Sequence, residues 1–282
     1  MKLDALERRF FTAILAVLLL AFAARATAAF WWNARHADAF PLGDSDSYWR
    51  LANTVAAGEK YQYGGPNGKV FRAPGYPVLL AAWFKVAGTS PRTARYLGAF
   101  LGTLGVGAVM LLAHQFGSRI GTLWAGLLAA LYPGAISTSV LLLSESPFVP
   151  LMLLQLYLWG RARSSPRRSA YRWAGAAGLT AAIACLVRPS WLLFAPFTIA
   201  YFSIVATATS WRIAKKNASI RPDRWRDVRI AFVVLATLCV GMSPWWVRNY
   251  REVGKFVPTT LQVGASLYDA WNPRATGGSD MW

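Results

Sequence analysis

Apolar runs of near-uniform length recur along almost the whole chain, separated by short polar or basic turns. Their length is about 20 residues, which as a helix rising about 1.5 Å per residue matches the hydrocarbon core of a bilayer. The pattern therefore predicts an all-α polytopic membrane protein. Spans are expected at about 10–30, 93–116, 119–135, 141–160, 171–187, 190–209 and 230–247, about seven in all. Trp31 and Trp32 follow the first run, where an interfacial aromatic pair belongs. The segment FRAPGYPVLLAAWFKVAG (71–88) departs from the pattern. Its apolar part is only about a dozen residues, short for a span.

The charge pattern assigns sides. RARSSPRR (161–168) and WRIAKKNASIRPDRWRDVR (211–229) are the densest basic stretches, and both read as cytoplasmic loops. Counting spans back from them leaves 76–88 starting and ending outside, so it is expected as an interfacial or re-entrant helix in the first external loop. The N-terminal basic flank and Ala26-Thr27-Ala28 fit a cleavable leader. The length of the apolar run and the spans behind it favour an uncleaved first span. On either reading residue 31 onward lies outside the cytoplasm.

The net charge is +18 and 55% of residues are hydrophobic. In a soluble chain that charge would point to nucleic acid. Here it marks cytoplasmic loops and anionic lipid, and no nucleic-acid motif is present. Eight cations nevertheless fall in the external segments between 31 and 95: Arg35, Arg50, Lys60, Lys69, Arg72, Lys85, Arg92 and Arg95. Either long loops escape the positive-inside rule or an external site holds an anion. Cys185 and Cys239 lie in apolar runs and read as small buried hydrophobes. His36 and His114 stand alone, without metal-ligand spacing.

Candidate chemistry collects at one membrane face. Asp44 and Asp46 leave the first span in FPLGDSDSYWRLA, Arg72 precedes the interfacial helix, Glu145 sits in LLLSESPF, and Arg188 in CLVRPSW. Charges at a bilayer edge are costly, so they are paired or functional. Plainer roles stand beside that one. Asp44 could cap a helix at 45–57 and Asp46 favour its first turn. Tyr48 and Trp49 could be interfacial anchors, Glu145 a cap, and Arg72 and Arg188 snorkelling cations. Together, however, a carboxylate against an apolar wall can serve as a general base, and arginines can hold a phosphate by paired hydrogen bonds.

These segments, in this order, resemble the GT-C class of polytopic glycosyltransferases, which includes protein O-mannosyltransferases and lipid A aminoarabinose transferases. The resemblance runs over about residues 10–260: Asp44 with Tyr48 four residues later, RAPGYPVLLAAWFKVAG, HQFGSRIG, LYPGAISTSVLLLSESPF and GLTAAIACLVRP. It implies a GT-C-like catalytic module over 1–260, with 261–282 as an extracytoplasmic tail from a chain expected to continue. It also implies a polyprenyl-phosphate-sugar donor and inverting transfer to a lipid, glycan or protein hydroxyl; the site is expected to face the periplasm or exterior of a bacterial inner membrane, with an organelle lumen as the alternative. Asp44 would be the general base, Arg72 and Arg188 would bind the donor phosphate, and Glu145 would orient the acceptor or bind a metal. Asp46 and Tyr48 would support them. A divalent metal on Asp44, Asp46 and Glu145 is compatible with the oxygen ligands. Two other readings remain. A transporter or lipid flippase would need midplane charges in repeated halves, and a non-catalytic scaffold would tolerate loss of the external acids.

Overall fold

The computed structural model describes residues 5–36, 39–64, 66–214 and 225–276. Within them the chain is helical throughout, without strands. The helices are α1 (Ala5–His36), α2 (Gly43–Ala56), α3 (Gly75–Ala87), α4 (Pro91–His114), α5 (Arg119–Leu131), α6 (Pro133–Val140), α7 (Glu145–Ser164), α8 (Arg167–Val187), α9 (Phe194–Ala214), α10 (Arg226–Val253) and α11 (Gln262–Trp271). Single 3-10 turns occupy Pro66–Val70 and Pro189–Leu193. Most of the expected 211–229 basic loop, and the last six residues of the expected tail, lie outside the described residues.

Five helices are long and apolar enough to cross a membrane, or six if α5 and α6 are one bent span. The count is one short of the expected seven because α7, at the place predicted for 141–160, falls below that apolar content although it runs the length of a span beside α4 and α8. Gln155, Pro147, Pro150 and the terminal charges dilute its apolar content. It instead buries Gln155, Leu158 and Trp159 against neighbouring helices, chiefly α4 and α8. The first span is also longer than 10–30. No Pro or Gly interrupts the chain after it, so α1 carries Trp31 and Trp32 within its last turns rather than in a loop.

Pro133 bends α5 against α6 by 52° where one continuous span was expected. Proline has no amide hydrogen to give and its ring clashes with the preceding turn. The carbonyls orphaned at the break need a donor, and Arg25 of α1 supplies it. Its guanidinium, buried to 1% exposure, donates to Ala130 O at 3.0 Å and Ala129 O at 3.2 Å. Close approach by α4 completes the joint: a Cβ on Gly98 would stand 2.0 Å from Ser139 O.

Small residues govern the rest of the bundle. α8 buries an alanine stripe (Ala170, Ala174, Ala177, Ala181) against α10 and α7. Where water gives no hydrophobic drive between helices, such backbone-to-backbone contact carries the packing. At one end of the bundle α2 and α3 lie together over Tyr48, Ala52, Tyr76, Leu80 and Phe84. α3 occupies the segment expected to be interfacial.

Gly98→Ala should force α4 off α6 and cost about 1–3 kcal/mol, the usual range for overpacking. Thermal unfolding in detergent should show the loss; an unchanged midpoint would mean that the α4–α6 contact is not tight.

Candidate active site

The site forms where α2, the start of α3, the α6–α7 turn and the end of α8 meet. α2 begins without a side-chain cap: Leu42 is its N-cap, and Asp44 lies inside the first turn. The plainer role weighed for Asp44, a helix cap, is therefore absent, and its carboxylate reaches across to Arg72 instead. Arg72 Nη2 donates to Asp44 Oδ1 at 2.5 Å, and Arg72 Nη1 donates to Gln262 Oε1 at 3.1 Å. The Arg72 side chain is 5% exposed and that of Asp44 47%, so the cation is fixed in the wall while the acid remains open to a substrate.

Backbone contacts hold Arg72 in place. The Tyr61 hydroxyl donates to the carbonyls of Arg72 and Ala73 at 3.2 and 3.1 Å. Arg248, at the end of α10, donates to Tyr61 O at 2.9 Å and Lys69 O at 2.5 Å. Leu261 N donates to Val70 O at 2.9 Å, which brings Gln262 within reach. Gly75 then lets α3 start hard against the end of α8: a Cβ there would lie 2.7 Å from Leu186 O. The residues just after Arg72 therefore touch those just before Arg188.

Arg188 forms the second ion pair, with Glu145 at the start of α7, and both side chains are partly exposed. Glu145 follows a tight turn in which Leu142 is buried with φ 54°, a left-handed conformation unusual for a branched residue. Ser45 Oγ fastens this turn to α2 by donating to Leu141 O at 2.5 Å. Tyr48 stands against the first pair and within electrostatic reach of Glu145. Its ring meets Tyr76 edge-on at 5.3 Å and lies 5.2 Å from the Arg72 guanidinium carbon. Its phenol shares a hydrogen bond with Ser144 and feels the charges of Arg72, Asp44 and Glu145. Burial pushes that phenol above its ordinary value, with the Ser144 bond and Arg72 opposing.

Of the residues singled out in the sequence, Asp44, Arg72, Glu145, Arg188 and Tyr48 come together at this end of the bundle. Asp46 instead pairs with Arg50 of its own helix at 2.8 Å, a contact that raises the already high pKa of that exposed arginine. Asp44, Asp46 and Glu145 do not converge, and among the described residues no three His, Cys, Asp or Glu side chains are grouped for a metal. Four site residues had escaped the sequence reading: Tyr61, Ser144, Arg248 and Gln262. Arg248 carried a usable signal, an arginine closing an apolar run beside Trp245 and Trp246, as Arg188 closes another. The others, in a loop or at helix starts, are ordinary polar residues and carried none.

An apolar furrow of ≈ 1270 Å³ runs along α4, and one of its ends is lined by chain neighbours of the site residues. Gly75, Pro147 and Val187 line one end, beside the two arginines. The furrow follows α4 past Leu104 and Leu111 to His114 at the far end of the bundle.

Residues 71–247 match a family model described as dolichyl-phosphate-mannose-protein mannosyltransferase. The match includes Arg72, Glu145 and Arg188, and α2 with Asp44 lies before it. No curated protein matches the chain.

Because the Tyr48 phenol is raised above the ordinary tyrosine value of 10.0, its stabilising contribution is complete below that value. It is lost as pH climbs through it toward the higher folded value. Tyr48→Phe should cost about 1 kcal/mol at neutral pH through the lost Ser144 bond, yet show a shallower alkaline decline. Unfolding midpoints followed from about pH 8 to 11 would test this against wild type; parallel declines would refute it.

Proposed function

The chain belongs to the dolichyl-phosphate-mannose-protein mannosyltransferase family, and we propose that it performs inverting sugar transfer outside the cytoplasm with Asp44 as general base. Membership makes it a GT-C-type membrane glycosyltransferase using a polyprenyl-phosphate sugar. The observation that supports the finer reading is the pairing of Asp44 with Arg72 and of Glu145 with Arg188, close in the chain to Gly75, Pro147 and Val187 at one end of the apolar furrow.

Without a donor, each arginine is matched by a carboxylate. A polyprenyl tail laid in the furrow brings its phosphate to the end lined by Gly75 and Val187, where both guanidinium groups lie nearby. Phosphate oxygens accept paired hydrogen bonds from arginine as well as carboxylates do. The donor thus competes for Arg72 and Arg188, and frees Asp44 and Glu145 to meet the acceptor. Glu145 orients the acceptor hydroxyl and Asp44 takes its proton. The acceptor oxygen bonds to the anomeric carbon from the face opposite the phosphate. The bond from that carbon to the phosphate oxygen breaks, and its electron pair leaves on polyprenyl phosphate. One displacement inverts the configuration. The charge gained by the leaving phosphate develops beside fixed arginines, where preorganised donors lower the barrier most.

The basic segment 161–168 joins α7 to α8 at the end of the bundle away from the site. By the positive-inside rule that end is cytoplasmic, and in a bacterial inner membrane the site would face the periplasm.

Asp44→Asn should lower transfer from polyprenyl-phosphate mannose in membranes by about 10²-fold or more, the range for a lost general base, while donor binding persists. Unchanged transfer would remove Asp44 as the base. Arg72→Lys keeps the charge but loses the planar fork, and should raise the donor KM about tenfold, equivalent to about 1.4 kcal/mol.

Sidedness has its own test. An impermeant thiol reagent applied to intact spheroplasts should label Lys60→Cys and spare Arg168→Cys, both at exposed positions. The reverse pattern would invert the proposed orientation.

A further inference from the structure

A second furrow lies on the opposite face of α4. It encloses ≈ 470 Å³ between α4, the broken α5–α6 pair and α7. Gly105, Val106 and Val149 give it apolar walls, and Ser139, Glu145 and Arg25 stand along it. A further hollow of ≈ 390 Å³ continues past Val109 to Phe116 and Ser118, so the apolar track extends along α4. The two furrows share one wall, the first turns of α7. Pro150 lines both.

Glu145 connects them chemically. Its carboxylate holds Arg188, beside the first furrow, while the residue itself lines the second. The second furrow also contains an unspent donor. Both terminal nitrogens of Arg25 bind helix carbonyls, but its buried Nε has no partner. That nitrogen sits where α4 is a glycine: a Cβ on Gly102 would meet it at 2.7 Å, and Gly102 lines the same furrow. A buried guanidinium N–H without an acceptor is costly unless a ligand supplies one.

We infer that the second furrow holds the acceptor, and that the acceptor is itself a lipid: an acyl chain bearing an uncharged headgroup with a free hydroxyl. The inference rests on the donor reading above. Apolar walls open to the bilayer suit the chain. The lining carries one cation and one anion, Arg25 and Glu145, which suits a neutral headgroup better than an anionic one. The headgroup hydroxyl would donate to Glu145, with Arg25 standing in the wall of the same furrow. The two substrates then reach the α7 wall from opposite sides of α4, each already dissolved in the membrane, and their polar ends meet at Glu145.

Two glycines of α4 separate the furrows experimentally. A Cβ on Gly105 would make ordinary contact with Val149 at 3.6 Å and Pro150 at 3.8 Å, on the second furrow. A Cβ on Gly107 would meet Leu18 at 3.6 Å, on the first. The full chain, in phosphatidylcholine vesicles, is photo-crosslinked with diazirine-labelled diacylglycerol or diazirine-labelled polyprenyl phosphate, and the labelled residues are mapped. Diacylglycerol should label Val109 and Val149 about tenfold above lipid-facing Val240 of α10. Unlabelled diacylglycerol should compete and polyprenyl phosphate should not. Gly105→Phe should abolish that labelling and leave polyprenyl phosphate in the first furrow, and Gly107→Phe should do the reverse. The wild-type maps require no variant to fold, and Gly105→Leu gives a milder filling. Labelling at Val109 and Val149 no stronger than at Val240, or displaced by polyprenyl phosphate, would overturn the lipid-acceptor inference alone. Failure of polyprenyl phosphate to label the first furrow would instead overturn the donor reading.

Discussion

A guanidinium at the edge of a bilayer must find acceptors within the protein, and this requirement organises one end of the molecule. Arg25 answers the carbonyls of a broken helix. Arg72 answers Asp44 and Gln262, Arg188 answers Glu145, and Arg248 answers the carbonyls of Tyr61 and Lys69. Arg95, buried to 1% exposure, joins Asn33 and Ala39. Nearly all of these bonds link segments far apart in sequence. Leaving a buried guanidinium such as Arg25 or Arg95 without its acceptors costs about 1–3 kcal/mol or more. Each arginine therefore acts as a joint between elements that hydrophobic burial, which is weakly directional, could not hold in one register. α2, α3 and the α6–α7 turn keep their places through these joints.

What could be read from the sequence follows from the range of each interaction. Hydropathy is local, so most spans were legible, and so was the short helix α3. Boundaries were less so. The length of α1 depends on the absence of a breaker after residue 30, and aromatic residues at 31 and 32 suggested an interface instead. Pro133 was visible, yet whether it kinks or ends a span depends on what receives the orphaned carbonyls, and that receiver is Arg25, more than a hundred residues earlier. α7 was expected from its place in the alternation, although its stability comes from packing rather than from apolar content.

The site divides along the same line. Costly charges at span ends announced Asp44, Arg72, Glu145 and Arg188, and topology placed them at one face. Their pairing was not readable. Asp44 has the sequence context of a helix cap, and only the nearness of Arg72 draws it away. Gln262 lies 190 positions from Arg72 and has no feature that separates it from any other polar residue in a tail. Arg248 had the same context as Arg188, an arginine closing an apolar run, and that rule applied evenly would have found it.

Tyr48 places a neutral, buried ring against Arg72 and within electrostatic reach of Asp44 and Glu145. Two carboxylates and two arginines at the edge of a low-dielectric medium can settle into one compact cluster, with every charge cancelled by two neighbours. The ring is braced by Tyr76 and tethered to Ser144, and the charges form two separate pairs, each arginine with one carboxylate to give up. A compact cluster would yield little to an arriving anion, because displacing one member would disturb all four. Two separate pairs can exchange partners one at a time, so under the proposed donor reading the electrostatic work of admitting a phosphate would be divided into two smaller steps.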